Sequence, residues 1–134
     1  MRFMLDTNIC IYIIKQKPPE VLVRFNSYVV GDIAVSSITV AELQFGVQKS
    51  QQPERNQQAL NHFLLPLTVV DFDQTAATTY GEVRASLERQ GRPIGPLDML
   101  IAAHALNLKL TLATNNAGEF ARVQGLVVEN WAHR

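Results

Sequence analysis

Three acidic side chains, Asp6, Glu42 and Asp98, occur in segments that are otherwise rich in apolar residues. Carboxylates supply the hard oxygen ligands that Mg²⁺ and Mn²⁺ prefer, and no cluster of cysteine or histidine is present to favour zinc. Two such cations would cancel the mutual repulsion of three close carboxylates. The chemistry of this set is activation of a water molecule and stabilisation of a leaving oxygen, which fits phosphodiester hydrolysis. We therefore predict a catalytic centre of these three acids with Mg²⁺ as cofactor, for which Mn²⁺ can substitute.

Asp98 is the most informative of the three acids. Its neighbours at helical spacing are Ile101, Ala102 and Ala105, so its carboxylate would lie on the apolar face of an alanine-rich helix. A carboxylate there is costly unless an opposite charge neutralises it. Within ten residues the only cations are two upstream arginines, so a divalent cation is the natural partner.

Each acid also has a purely structural interpretation. Acidic residues in the first turn of a helix complement the helix dipole, which applies to Glu42 and Asp98. Asp6, directly after an apolar strand, could simply cap the next helix. We predict that Asp6 and Asp98 are direct metal ligands and that Glu42 is an auxiliary carboxylate.

The strands and helices that position these acids are predicted from the spacing of apolar residues and from the positions of proline and glycine. Strands and helices of ten or more residues alternate, which predicts an α/β fold around a parallel sheet covered on both faces, with more helix than strand. The predicted strands are 2–5, 33–35, 67–70, 109–113 and 126–128. Helices are predicted at 9–15, at 40–49 with Thr39 as the cap, at 53–65, at 97–106 with Pro96 at the start, and at 116–123. Two further helices are predicted, one that begins at Pro18-Pro19 and is ended by Gly31, and one that begins at residue 73 or 75 and ends at residue 90.

Polar residues follow three of these strands, at Asp6, at Ser36-Ser37 and at 114–116. Ligands of open parallel sheets bind at the carboxyl ends of the strands, so these segments predict one shared pocket. Thr7, Asn8 and Ser36 could hold the carboxylates by hydrogen bonds. Capping of the local helices explains Thr7 and Asn8 equally well.

The bulk composition limits the remaining possibilities. The 134 residues fit a single domain, 1–134, and 12 Lys+Arg balance 12 Asp+Glu. RNA contact would therefore need a local basic surface, for which the candidates are Lys49 and Arg55 on one side and Arg84, Arg89 and Arg92 on the other. The alternative for the second group is a solvated helix face on which Glu82 and Glu88 pair with the arginines.

Cellular location is predicted to be cytoplasmic. The lone Cys10 suits a reducing compartment and is interpreted as a small core residue. The apolar N-terminal run is interrupted by Asp6 and Asn8 and lacks a cleavage pattern, and no apolar stretch approaches the roughly 18 residues that span a bilayer.

Several motifs together resemble the PIN domain, and more narrowly the VapC toxins of type II toxin–antitoxin modules. They span nearly the whole chain in order: 4–8 (MLDTN), 36–43 (SSITVAEL) with Gly46, 95–102 (GPLDMLIA), 114–116 (TNN) with Glu119-Phe120, and 129–131 (ENW). The resemblance implies a PIN-like three-layer α/β/α fold with about five strands and a Mg²⁺-dependent endoribonuclease. In it, the residues that match Asp6 and Asp98 bind metal and the one that matches Glu42 completes the acidic centre.

The resemblance also implies partners and a substrate. It implies a homodimer that a VapB-like antitoxin neutralises, and cleavage of tRNA, including the anticodon loop of initiator tRNA. Phe25, Tyr28, Phe45 and Tyr80 could contribute to the antitoxin groove, although each residue type is also common in cores.

A fourth acid, which many family members carry in the turn at 114–116, is replaced here by Asn116. Thr114 and Asn116 could still position a metal-bound water, and Glu119 one turn later could supply the missing carboxylate. This position stays open at the level of sequence.

Three other functions can be compared with the nuclease on the same residues. A metal-independent ribonuclease would use His62, His104 or His133 as general acid and base. A catalytically silent RNA- or protein-binding module on the same fold is favoured only by Asn116. A phospho-acceptor receiver domain lacks both the second acid after the first strand and the late lysine that it would need.

Overall fold

The computed structural model describes residues 1–132 of the 134-residue chain. Within these described residues the chain forms five strands and seven helices, and the strand and helix types agree with the predicted alternation. Their order is β1 (Phe3–Leu5), α1 (Thr7–Lys15), α2 (Pro19–Asn26), β2 (Ile33–Ser36), α3 (Ser37–Lys49), α4 (Pro53–Leu64), β3 (Thr68–Val70), α5 (Gln74–Arg89), α6 (Pro96–Asn107), β4 (Thr111–Thr114), α7 (Ala117–Phe120) and β5 (Val128–Asn130).

The five strands form one sheet in the order β3-β2-β1-β4-β5, and every pairing is parallel. Leu5 of the central strand β1 lies in register with Val35 on one side and Ala113 on the other. The carboxyl ends of β1, β2 and β4 therefore meet at one edge, where Asp6, Ser36 and Thr114 follow or end their strands.

Two apolar cores lie on opposite faces of the sheet, because successive strand side chains point to opposite faces. Phe3 and Leu5 pack with α1 to α4, whereas Met4 packs with α5 to α7. The predicted three-layer α/β/α class is thereby confirmed. Cys10 is fully buried in the first core, as predicted. In the part of the chain that the structure describes, no helix has both the length and the apolar character needed to cross a bilayer.

Helix α2 ends five residues before the predicted stop at Gly31. The chain leaves the helix after Asn26 because Tyr28 stacks on Trp131, with ring centroids 5.8 Å apart, and packs against Phe3. Gly31 lies instead in a short 3₁₀ turn before β2.

Helix α3 begins earlier than predicted, and this changes the setting of Glu42. Ser36, not Thr39, is the N-cap, since the Ser36 hydroxyl accepts a hydrogen bond from the Ile38 amide at 3.1 Å. Thr39 is fully buried within the first turn. Glu42 consequently lies in the second turn, beyond the end where the helix dipole acts, so the dipole does not explain this acid.

The segment before α6 is held by its own backbone. Gly91, with φ of 66°, and the following residue close α5 by hydrogen bonds to the carbonyls of Glu88 and Leu87. Arg89 is the last residue of α5, one residue before the predicted end of this helix at residue 90. Pro96 occupies the first position of α6, as predicted, which places Asp98 in the first turn.

Candidate active site

Asp6 lies at the carboxyl end of β1 with only 4% of its surface exposed. One carboxylate oxygen accepts a hydrogen bond from the Ile9 amide at 2.9 Å, and the other accepts one from the Thr114 hydroxyl. The Thr114 hydroxyl in turn accepts a hydrogen bond from the Asn116 amide at 2.9 Å. Asp6 is therefore an N-cap, as the structural interpretation proposed, and it is also fixed between β1 and β4.

Glu42 reaches the same edge from α3. Its carboxylate accepts a 2.7 Å hydrogen bond from the Thr7 hydroxyl, which lies one residue after Asp6. This bond joins residues 35 positions apart and fixes the first turn of α1 against the second turn of α3.

Asp98 and Glu119 approach from the other side of β1. The Gly95 amide donates to one Glu119 oxygen at 3.3 Å, and the Asn116 side-chain amide donates to the other at 2.6 Å. Glu119 is thus held against the start of α6 by Gly95, which lies three residues before Asp98. Asn116 therefore orients a carboxylate that lies one turn later in the chain.

These four carboxylates influence one another electrostatically. Burial, together with the charges of Asp98 and Glu42, raises the pKa of Asp6 to about 6, even though two hydrogen bonds oppose the shift. Burial also raises the pKa of Asp98, and the charges of Glu119 and Glu42 raise it further. Because like charges destabilise the ionised forms, the cluster favours the binding of positive charge.

The donor set fits a divalent cation of the hard class. All four groups are carboxylates, and no Lys or Arg of the described residues forms an ion pair with any of them. As the side chains stand in residues 1–132, no three acidic, histidine or cysteine groups are close enough to share one ion. Mg²⁺ is commonly held by one or two carboxylates with several waters, so a pair of these acids is the kind of ligand set that this ion uses.

A hydrogen-bonded group beside the acids was missed by sequence reasoning. The Asn115 side-chain amide donates to the Tyr12 hydroxyl at 2.9 Å, and the Asn115 carbonyl accepts from the Asn8 amide at 3.4 Å. Asn8 therefore faces Asn115 instead of a carboxylate. The only signal for Tyr12 was its position four residues after Asn8, on the same face of α1.

Ser36, predicted to support the metal shell, has a different contact. Its hydroxyl lies 2.8 Å from Nδ1 of His104, which is 1% exposed, while it caps α3 through Ile38. The His104 ring also packs edge-on against Phe72. Burial lowers the pKa of His104 despite the nearby Asp73 and Asp71. This pair connects α3, which carries Glu42, to α6, which carries Asp98.

Replacing His104 with Leu is expected to destabilise the fold by about 1–3 kcal/mol, because the buried Ser36 hydroxyl loses its partner. His104→Gln can keep one hydrogen bond to Ser36 and should recover part of that loss. Chemical denaturation of both variants at neutral pH measures the difference. Equal losses in the two variants would contradict a role for this hydrogen bond.

The two histidines of residues 1–132 do not form an acid–base pair. His104 is buried in α6 on one face of the sheet, whereas His62 is exposed on α4 over the other face. His133 lies outside the described residues. Among residues 1–132 the geometry therefore gives no support to the metal-independent alternative.

The predicted basic candidates are dispersed. Arg84 forms an i,i+4 ion pair with Glu88 at 3.0 Å and donates to the Tyr80 hydroxyl, which agrees with the solvated-face alternative for this residue. Arg89 and Arg92 are exposed at the end of α5 and just after it. On the other side, the ammonium group of Lys49 lies 5.2 Å from the centre of the Phe45 ring, and Arg55 donates to the Gln52 side chain.

The predicted aromatic contact residues divide into two groups. Phe25 and Tyr28 are half-buried and pack on the first core. Tyr80 packs on the second core, whereas Phe45 is 66% exposed on α3. An apolar groove lies between α1, α3 and α4, and its lining includes Ile11, Leu43 and Leu60 together with the charged residues Lys15 and Glu42.

Comparison with known proteins agrees with this architecture. The family model "PIN domain" matches residues 3–126. The tRNA(fMet)-specific endonuclease VapC of Shigella flexneri is 50% identical over 132 residues, covering 98% of this chain and 99% of the relative.

Solved structures give the same result at the level of the fold. The DNA-bound VapBC of Salmonella typhimurium superposes with a TM-score of 0.92 at 45% identity and covers 98% of each chain. VapBC2 of Rickettsia felis, bound to a DNA fragment from its promoter, superposes with a TM-score of 0.91 at 44% identity and covers 98% of this chain and 99% of that one. The chain therefore belongs to the PIN-domain family and, within it, to the VapC ribonucleases.

Proposed function

We propose that this protein is a metal-dependent endoribonuclease toxin that hydrolyses phosphodiester bonds in tRNA. The observation that supports this most is the set of four coupled carboxylates at the carboxyl edge of the sheet, two of which have raised pKa values. Asp6 and Asp98 are the proposed direct ligands, Glu42 completes the catalytic set, and Glu119 is the proposed fourth carboxylate. Mg²⁺ is the proposed cofactor, with Mn²⁺ as a substitute.

The protein's own groups prepare this centre. Thr114 and the Ile9 amide hold the Asp6 carboxylate in one orientation, and Thr7 does the same for Glu42. Asn116 holds Glu119 toward the loop before Asp98. A divalent cation bound by these carboxylates would lower the pKa of a water and offset charge on the phosphate. Burial and the neighbouring charges raise the pKa of Asp6 to about 6, so cation binding at Asp6 would displace a proton in the pH range where this carboxyl titrates.

The proposed substrate is tRNA, including the anticodon loop of the initiator tRNA. The 50% identical relative is named as specific for tRNA(fMet). A single-stranded loop suits an acidic centre at an exposed sheet edge, because unstacked bases and a flexible backbone can enter it.

The proposed inhibitor is a VapB-like antitoxin bound to a homodimer of this chain in the cytoplasm. Two close structural neighbours are VapBC complexes. The apolar groove lined in part by Glu42, with Phe45 exposed nearby on α3, offers an interface of the type that an amphipathic helix fills.

The proposal is tested by incubating the purified protein with total RNA and mapping new 5′ ends. With Mg²⁺, we expect new ends at one tRNA loop; with EDTA, we expect them to disappear and to return when Mg²⁺ is added in excess. Cleavage that persists in EDTA with 2′,3′-cyclic phosphate ends would contradict the metal-dependent mechanism. Binding of RNA without any cleavage, with Mg²⁺ or Mn²⁺, would support the silent binding module instead.

A further inference from the structure

One face of helix α1 extends from the acidic centre to two lysines, Lys15 and Lys17, at and just after the end of the helix. Asn8, Tyr12 and Lys15 are spaced at i, i+4 and i+7, so their side chains lie along the same face. Asn8 and Lys15 are exposed and Tyr12 is half-exposed. Lys17 follows two residues after the helix. We name these four residues the α1 strip.

The strip is continuous with the active-site edge. Asn8 lies two residues after Asp6, and Asn115 directly follows the Thr114 that holds the Asp6 carboxylate. The Asn115 side chain bridges Asn8 and Tyr12 by two hydrogen bonds. The amides and the phenol are therefore presented from a fixed framework and not from a mobile loop.

The basic end carries charge that the described residues leave unpaired. Lys15 and Lys17 line a surface depression together with Tyr12, Ile11 and Pro18. In residues 1–132 neither lysine ammonium group lies within 4.0 Å of a carboxylate. By contrast, Arg84 in the basic group predicted from sequence is neutralised by an ion pair.

We propose that the α1 strip binds the single-stranded RNA on one side of the scissile phosphate. This inference rests on the proposed ribonuclease function. Lys15 and Lys17 bind backbone phosphates, the Tyr12 ring offers a face on which a base stacks, and Asn8 with Asn115 hydrogen-bonds base edges. The seven residues from Asn8 to Lys15 rise about 10 Å along the helix. Lys15 therefore binds a phosphate further along the strand, not the phosphate at the acidic centre.

The test measures cleavage and binding separately, with the anticodon stem–loop of initiator tRNA as the RNA probe. In the double variant Lys15→Gln, Lys17→Gln we expect the KM to rise about 10-fold and kcat to stay within about 2-fold. The slope of log affinity against log salt should fall by about 1.4, since each phosphate contact in single strands contributes about 0.7. Affinities and salt slopes are measured for the stem–loop in an Asp98→Asn background, where cleavage does not interfere.

Two further variants make the assignment specific. Lys109→Gln is the matched control, since Lys109 is exposed and precedes β4 at the opposite edge of the sheet, and it should leave KM and the salt slope unchanged. Tyr12→Leu should weaken binding about 10-fold, because stacking on an aromatic ring is lost. Tyr12→Phe keeps the ring and should bind more tightly than Tyr12→Leu.

The outcomes separate this inference from the proposed function. If the wild-type protein cleaves the stem–loop and the lysine variant has the same KM and salt slope, the α1 strip is not the RNA site. The same conclusion follows if Arg89→Gln, Arg92→Gln raises the KM and the lysine variant does not. Lysine variants that bind RNA normally but escape antitoxin inhibition would assign the strip to the antitoxin and overturn the inference. No cleavage of any RNA by the wild-type protein with Mg²⁺ would instead contradict the proposed function.

Discussion

Replacing Asp98 with Asn is expected to reduce RNA cleavage by more than about 100-fold without unfolding the protein. Loss of a group that only supports a metal ligand already costs about 10- to 100-fold, so loss of a proposed ligand should cost more. The fold should survive because burial and the charges of Glu119 and Glu42 already disfavour the ionised form of Asp98. Removing that charge relieves repulsion while the volume of the side chain stays the same.

The matched control for this variant is Glu54→Gln. Like Asp98, Glu54 is a first-turn acid that follows a helix-initiating proline, at the start of α4, and it is exposed. If Asp98 acted only through the helix dipole, both variants would lose about 0.3–1 kcal/mol of stability and neither would lose activity. Initial cleavage rates and thermal denaturation of the two variants, measured side by side, distinguish these roles. An Asp98→Asn protein that cleaves RNA at the wild-type rate would remove Asp98 from the proposed mechanism.

Most of the fold could be predicted from the sequence, because the patterns that indicate strands and helices involve residues close together in the chain. Alternating apolar strands and longer amphipathic helices predicted the parallel sheet with two covered faces, and Pro96 predicted the start of α6. Asp98 could be recognised from its own neighbours, since Ile101 and Ala102 are fully buried on the same helix. Such patterns depend only on residues within two turns.

Other features could not be predicted, because they depend on contacts between distant segments. The exit of the chain from α2 is set by stacking of Tyr28 on Trp131, about a hundred residues away in sequence. Ser36 was a reasonable candidate beside the acids, yet His104, 68 residues away, engages its hydroxyl. The relation of Asn116 to Glu119 required the backbone conformation of the turn and the position of the Gly95 amide. Sequence therefore located the acids better than it located the groups that orient them.

In the absence of metal, raising the pH from about 4 to about 7.5 is expected to reduce the stability of the wild-type protein relative to Asp6→Asn. The pKa of Asp6 is about 6 in the folded protein, above the value of about 3.9 for an unfolded chain. A raised pKa means that the folded state binds the proton more tightly, so this stabilisation is full below about pH 4 and is lost as the pH rises through 6. Two pH units correspond to about 3 kcal/mol, which sets the upper limit of the difference.

Asp6→Asn isolates this contribution, because other groups titrate in the same range and act in both directions. His104 has a lowered pKa and makes the folded state less stable as the pH falls, but it does so equally in both proteins. Asn can still accept the hydrogen bond from the Ile9 amide, so the cap of α1 is kept. Denaturant unfolding of both proteins in EDTA at several pH values gives the difference, which should grow between pH 4 and pH 7.5. Parallel curves would show that ionisation of Asp6 does not destabilise the folded protein.

Added Mg²⁺ should reverse the order of the two proteins at pH 7.5. The wild-type protein carries the ionised Asp6 that a cation would stabilise, whereas Asp6→Asn lacks that charge and should gain less. The buried negative charge of Asp6 that lowers the stability of the metal-free protein also attracts the cation, so the two effects must disappear together in the variant. Equal stabilisation of both proteins by Mg²⁺ would mean that the cation binds elsewhere, and Asp6 would then be a structural cap alone.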